Sequence, residues 1–280
     1  MHITEMLAAL SVVFFLALFL MCLFRDKMKN PIVNPLFIFV CAVFFFFWNY
    51  AAYERGWLED GFMTLENISP YICTVICFTP FLSKKIKDYA YSAIAFLGFG
   101  MFLAMFVSPE ASYLLDFSQE ANFMHVSEAA CHLVMALYGF YLILSDKVSL
   151  DLKSFSKSLV FMFASIGYGV FLNFVFHRTN FGMNMYGSYS IYFLDIFRNF
   201  EITLLAYLLG VLGVLALGFL VGIFLDRLSR TPAESEAAEP ELVAESEAVA
   251  DEIAESEIAE PVSEPASAPE TATAEEDQNN

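Results

Sequence analysis

Seven times before residue 226 this chain runs on apolar side chains for about the 20 residues that an α-helix needs to cross a bilayer core. The stretches lie near 4–24, 32–53, 67–83, 89–107, 122–145, 156–177 and 203–225. Inside lipid no water satisfies a bare backbone group, so such segments close their hydrogen bonds within themselves as helices. The expectation is an all-α, polytopic membrane protein with seven transmembrane helices. The third stretch is the shortest and carries Pro70 and Pro80. The opening run reads as a retained helix. Its apolar length exceeds that of a cleavable leader, its positive charges follow it, and no small-residue cleavage site stands out.

Charge divides the chain in two. Residues 1–230 hold all 14 Lys and Arg with 16 acids, 14 − 16 = −2, whereas 231–280 hold the other 16 acids and no base. The first part is expected to be the transmembrane domain and the second an acidic, low-complexity, disordered tail. That tail repeats "AESE" from Ala233, Ala244 and Ala254 and has no aromatic residue, so it lacks the apolar surface to fold alone. A cytoplasmic partner docking on it is a secondary expectation. Nucleic acid is not an expected partner, because no basic patch is available to neutralise phosphate.

Lys and Arg also orient the helices. Arg25, Lys27 and Lys29 follow the first stretch, and Lys84, Lys85 and Lys87 follow the third. Lys147, Lys153 and Lys157 follow the fifth, and Arg227 and Arg230 the seventh. The connections between hold Arg55, then none, then Arg178 and Arg198. Positive charge stays on the cytoplasmic side, which puts the N-terminus outside and the tail in the cytoplasm of a cell-membrane protein. In the sixth connection "SYSIYFLDIFRNFE" reads either as an interfacial amphipathic segment or as the start of the last helix.

Polar groups inside these stretches are costly and therefore informative. His125, Glu128 and His132 stand at i, i+3 and i+7 in the fifth stretch, along one stripe of a helix. A mid-membrane acid costs about 2.5–3.5 kcal/mol on insertion scales and usually faces a bundle interior or cavity. His125 also fits a place at the water interface, and Glu128 and His132 a structural hydrogen bond between helices. In the outward orientation His132 lies roughly 15 Å past Asn122, and Cys73 roughly 9 Å past Asn67. Asn49, Asn173, His177, Thr179 and Asn180 fall near the same outer level, so one outward-side polar cavity is expected.

Cys and His together make a nucleophile and its base. Cys73 could carry an acyl group as a thioester, with His132 as general base and then acid. Glu128 could hold the imidazole tautomer, and Asn173 or Asn180 could donate to an oxyanion. His125 and His177 complete the candidate substrate-binding set. The five cysteines, an odd number inside apolar runs, do not read as a disulfide framework. Taken singly, Cys73 and its neighbour Cys77 also read as packing residues.

The run "ISPYICTVICFTPF", the helix "FMHVSEAACHLVMALYGFYLIL" and the stretch "GVFLNFVFHRTNFGMN" resemble, in order and spacing, the YwaF-like family of bacterial integral membrane proteins. That family is similar to an animal branch of membrane phospholipid acyltransferases with a catalytic Cys and His. The resemblance spans roughly residues 35–225. It sets Cys73 at the family's "PLHLC"-type cysteine, His132 on its histidine helix and Asn180 in its Thr-Asn-aromatic motif. Tyr71 stands where a histidine would precede the cysteine, and "HRTNFGMN" replaces a Gly-Thr-Asn-Tyr run. The resemblance implies acyl transfer on a membrane lipid without a cofactor.

Two other readings stay open. The two histidines and Glu128, with Cys73 or His177, could bind Zn²⁺, giving a metal-dependent membrane hydrolase or a metal transporter. Their stripe spans two turns, too long to hold one ion without another helix. The other is a non-enzymatic transporter or a scaffold that uses the acidic tail, although no inverted repeat of the kind transporters favour is present.

Overall fold

A computed structural model describes residues 2–54, 68–106, 120–176 and 200–230. Among these the chain forms eight α-helices and no strand. They are α1 (Ile3–Leu23), α2 (Arg25–Met28), α3 (Val33–Glu54), α4 (Ile68–Phe78), α5 (Lys84–Ala104), α6 (Phe123–Leu144), α7 (Leu152–Phe176) and α8 (Phe200–Ser229). Each of the seven apolar stretches contains a helix. Among the described residues four spans are both long and apolar enough to cross a membrane: Ile3–Leu23, Val33–Ala51, Phe123–Leu144 and Leu208–Ser229. The sixth connection and the acidic tail lie outside the described residues.

The third stretch changes geometry at its second proline. Pro80 has no N–H to continue an α-ladder, and the chain tightens into a 3₁₀ turn over Thr79–Phe81. The 11 described residues of α4 reach about 16 Å before that turn.

The helical body is one unit, Met1–Ser229, built around α6. All of α6 is buried except Phe123 and Val126, which marks it as the central helix. Its closest neighbour is α5, and glycine makes that seam. A Cβ added at Gly139 would stand 2.7 Å from the Ile94 carbonyl oxygen and 2.8 Å from the Gly98 Cα. Small residues let membrane helices approach backbone to backbone where apolar burial gives no drive. On another side of α5, Gly218 of α8 lies directly on the Phe96 carbonyl. Phe14 of α1 stacks on Phe102 of α5 with ring centroids 4.2 Å apart. Outward faces stay apolar: Phe15 and Phe19 on α1, Phe39 and Phe46 on α3, and Leu220 and Phe224 on α8 are all exposed. A surface of that character suits lipid rather than water.

Each end of α6 is tied down. At its start Asn122 accepts from the His125 N–H at 3.2 Å, and the His125 ring returns to the Asn122 N–H at 3.3 Å. This is a capping box with histidine where glutamate is usual. Next to it, His2 pairs with Glu120 in an isolated antiparallel bridge, so α1 and α6 start side by side. At the far end the chain leaves through a Schellman motif. Asp146 N–H reaches the Ile143 carbonyl and Lys147 N–H the Leu142 carbonyl, both at 3.0 Å. Asp146 takes the left-handed position with φ 57°.

Asp146 is also charged into place. Arg25, buried between α1 and α8, holds Asp146 at 2.6 Å and Asp226 at 2.7 Å, and Lys29 holds the other Asp146 oxygen at 2.7 Å. Burial raises the Asp146 carboxyl, but hydrogen bonds from Lys29 and Arg25 outweigh it and leave it below the ordinary carboxylate range. The ends of α1, α6 and α8 thus meet on one face.

Candidate functional site

His132 sits on α6 where α3 and α4 pack against it, and it is 1% exposed. Its Nδ1 lies 2.9 Å from the Glu128 carbonyl oxygen, one turn back on its own helix. A carbonyl can only accept, so Nδ1 carries the proton. Nε2 therefore presents a lone pair, and the Ser69 hydroxyl donates to it at 2.7 Å from the start of α4. The Trp48 indole of α3 closes one side, 5.5 Å from the imidazole and tilted by 51°. Ser69 is half-buried. The result is a hydroxyl, an imidazole and an orienting acceptor in series, the geometry by which a base withdraws a proton from a nucleophile.

Cys73, one turn after Ser69, is fully buried. Its sulfur lies 3.7 Å from the Cys131 sulfur of α6 and 3.9 Å from the Cys41 carbonyl oxygen of α3. The ring nitrogens of His132 are occupied by Ser69 and Glu128. The two expected partners thus lie on the same α4–α6 seam, each hydrogen-bonded elsewhere. Cys77, a further turn on, is half-buried.

The expected polar stripe divides by height. His125 and Glu128 line a small cavity of about 20 Å³ with Ile3, Met6 and Leu7 of α1 and Met105 after α5. That volume holds about one water molecule. His132, one turn deeper, engages α3 and α4 instead. What fixes the His132 tautomer is the Glu128 backbone carbonyl, while the Glu128 side chain borders the cavity. His125 doubles as the capping residue of α6.

Asn49 spends its amide on the Phe45 carbonyl of its own helix at 2.7 Å. Tyr71, where the resemblance has a histidine, reaches Ser165 of α7 at 2.8 Å. Asn173 lies on α7, its side chain outside the described set, and His177 and Asn180 lie outside the described residues. Among the described residues no three His, Cys, Asp or Glu side chains converge as a metal site.

Two features escaped the sequence. One is Ser69, whose only signal was its place one turn before Cys73. The other is a polar network at the lysine-rich end, where Tyr138 donates to Asn34 at 3.1 Å and Asn34 donates to Tyr91 at 3.3 Å. Tyrosine in an apolar run reads as bulk, so its hydroxyl gives little warning.

A family model matches residues 1–221, described as the TMEM164 family. The chain belongs to the TMEM164 family. The TMEM164 match takes in Ser69, Cys73 and His132, starts before the YwaF-like resemblance does, and stops inside α8 ahead of the acidic tail. No curated protein and no solved structure matches the chain.

Proposed function

We propose that this TMEM164-family membrane protein transfers acyl groups on membrane lipids through an acyl-enzyme on α4, with His132 as the base. The observation that carries this reading is the 2.7 Å hydrogen bond from an α4 hydroxyl to His132 Nε2, with Nδ1–H held by Glu128. A neutral imidazole fixed in one tautomer is ready to take a proton as the nucleophile attacks and return it to the leaving group.

In the route the YwaF-like resemblance implies, Cys73 is that nucleophile. Its proton passes to Nε2, sulfur bonds to the acyl carbon, and the lipid leaving group collects the proton. For this the thiol must turn from Cys131 and the Cys41 carbonyl toward His132. Asn173 and Asn180 are the proposed oxyanion donors, and His125 and His177 the proposed substrate-binding side chains.

In this reading the protein crosses the cell membrane seven times, with α4, α5 and α7 completing the bundle. The N-terminus is outside and the tail faces the cytoplasm. Two contacts support the direction: the starts of α1 and α6 lie together at the His2–Glu120 bridge, and the ends of α1, α6 and α8 share Arg25. The cationic face is the cytoplasmic one, so His132 lies toward the outer side.

The test is acyl transfer by purified protein in phospholipid vesicles. His132→Gln keeps a polar side chain of similar reach and should lower turnover about 100- to 10,000-fold with helix content unchanged. Undiminished turnover would remove His132 from the chemistry.

A further inference from the structure

Acyl transfer through His132 asks a buried side chain to become a cation. When the imidazole takes the nucleophile's proton it turns into an imidazolium. His132 is 1% exposed, so water does not solvate that charge, and an uncompensated buried charge is costly. In a Ser-His-Asp triad a carboxylate on Nδ1–H offsets it. Here Nδ1–H meets the Glu128 backbone carbonyl, a dipole rather than an anion, while the Glu128 side chain borders the cavity against α1. Nε2 meets the neutral Ser69 hydroxyl. Some further group must carry part of the charge.

That group stands on α3. The run "VFFFFWNY", Val43 to Tyr50, is almost wholly aromatic, and most of it is outward bulk: Phe46, Phe47 and Tyr50 are exposed. Trp48 is 1% exposed. It falls on an inward stripe with Cys41 and Phe45, at i+7 and i+4 from Cys41. Its indole centroid lies 5.5 Å from that of the His132 imidazole, with the planes tilted by 51°. Phe45 braces the indole edge-on at 6.3 Å and 69°. A cation within about 6 Å of an aromatic centroid is attracted to the ring, most strongly when the ring is indole and water is excluded. Both conditions are met here.

We infer that Trp48 is a positioning residue for acyl transfer, its indole stabilising the transient His132 imidazolium through a cation–π interaction. The inference rests on the acyl-transfer reading above, with His132 as its base. The nucleophile's proton passes to Nε2 as the bond to the acyl carbon forms. It passes on to the lipid oxygen as the donor ester bond breaks, and the ring is neutral again. The attraction to the indole therefore grows toward the transition state and fades on either side of it. An interaction of that kind raises kcat and leaves KM in place. Trp48 touches no reacting atom; it acts through His132.

The experiment fills position 48 by nonsense suppression with tryptophan carrying from none to four ring fluorines. Each full-length protein is placed in phosphatidylcholine vesicles whose acyl chains end in an alkyne, with a lysophospholipid as acceptor. Fluorine drains negative charge from the indole face and hardly alters its shape, which separates electrostatics from packing. The expected result is a kcat that falls with each added fluorine, by about 2- to 30-fold in all, with KM and melting temperature unchanged. Equal kcat across the series, in a protein whose unfluorinated form transfers acyl chains, overturns the role of Trp48 and leaves acyl transfer standing. A loss that follows melting temperature rather than fluorine count makes Trp48 a packing residue and overturns it as well. If the unfluorinated protein transfers no acyl chain, the acyl-transfer reading falls and the role of Trp48 falls with it.

Discussion

At the scale of single residues, His132 and Arg25 answer the same problem in different ways. Each is a polar group in an apolar body, and burial is tolerated only where partners satisfy it. His132 stays neutral between an acceptor and a donor, whereas Arg25 stays charged between Asp146 and Asp226. Arg25→Ala removes the buried cation that Asp146 and Asp226 share and should cost about 3 kcal/mol, read as a lower melting temperature in detergent. Asp146→Asn is milder. Asparagine accepts the left-handed backbone, and Asp146 is half exposed, so screening holds the loss to about 1 kcal/mol or less. Its pH dependence follows from its lowered carboxyl. The stabilisation is complete above the unfolded carboxylate value of about 3.9 and is lost as pH falls through the lower folded value. The gap between wild type and Asp146→Asn should be flat above about pH 4 and close below it; a gap that widens on acidification would contradict the assignment. The polar stripe on α6 was legible because period fixes angle around a helix. Its division was not, since period does not say which neighbour stands at which height. Ser69 was hidden for a related reason: a serine in an apolar helix ordinarily turns back on its own carbonyls.

At the scale of elements, apolar length announced every described helix but the four-residue α2, and Pro80 tightens the end of α4 into a 3₁₀ turn. What length could not show is rank. α1, α3 and α8 are more apolar or as apolar in pattern, yet α6, with its histidines and glutamate, is the buried centre. The reason lies at Gly98 and Gly139, where α5 and α6 approach closely enough that neither tolerates a larger neighbour. Gly139→Val should break that seam. Forced overpacking costs about 1–3 kcal/mol and occasionally more, so the variant should melt well below wild type or fail to accumulate in the membrane. Gly167→Ala on α7 is the control, because a Cβ there meets nothing within 4 Å, and its melting temperature should match wild type or exceed it. Equal melting of wild type and Gly139→Val would mean that α5 and α6 do not meet through these glycines.

For the whole molecule, the uneven charge separates a nearly neutral body from an acidic segment that the family match does not reach. The chemistry proposed lies entirely in the body. Deleting 231–280 should leave membrane insertion and acyl transfer per molecule unchanged, measured in the same vesicles as the full chain; loss of transfer would make the tail part of the enzyme. The body's function depends on whether His132 activates a nucleophile on α4. The most direct measurement is peptide-mapped mass spectrometry of enzyme quenched during turnover with alkyne-tagged phospholipid, wild type beside His132→Gln. One acyl chain on the α4 peptide of the wild type and none on the variant is the expected result. Equal acylation of both proteins, or acylation confined to another helix, would contradict it.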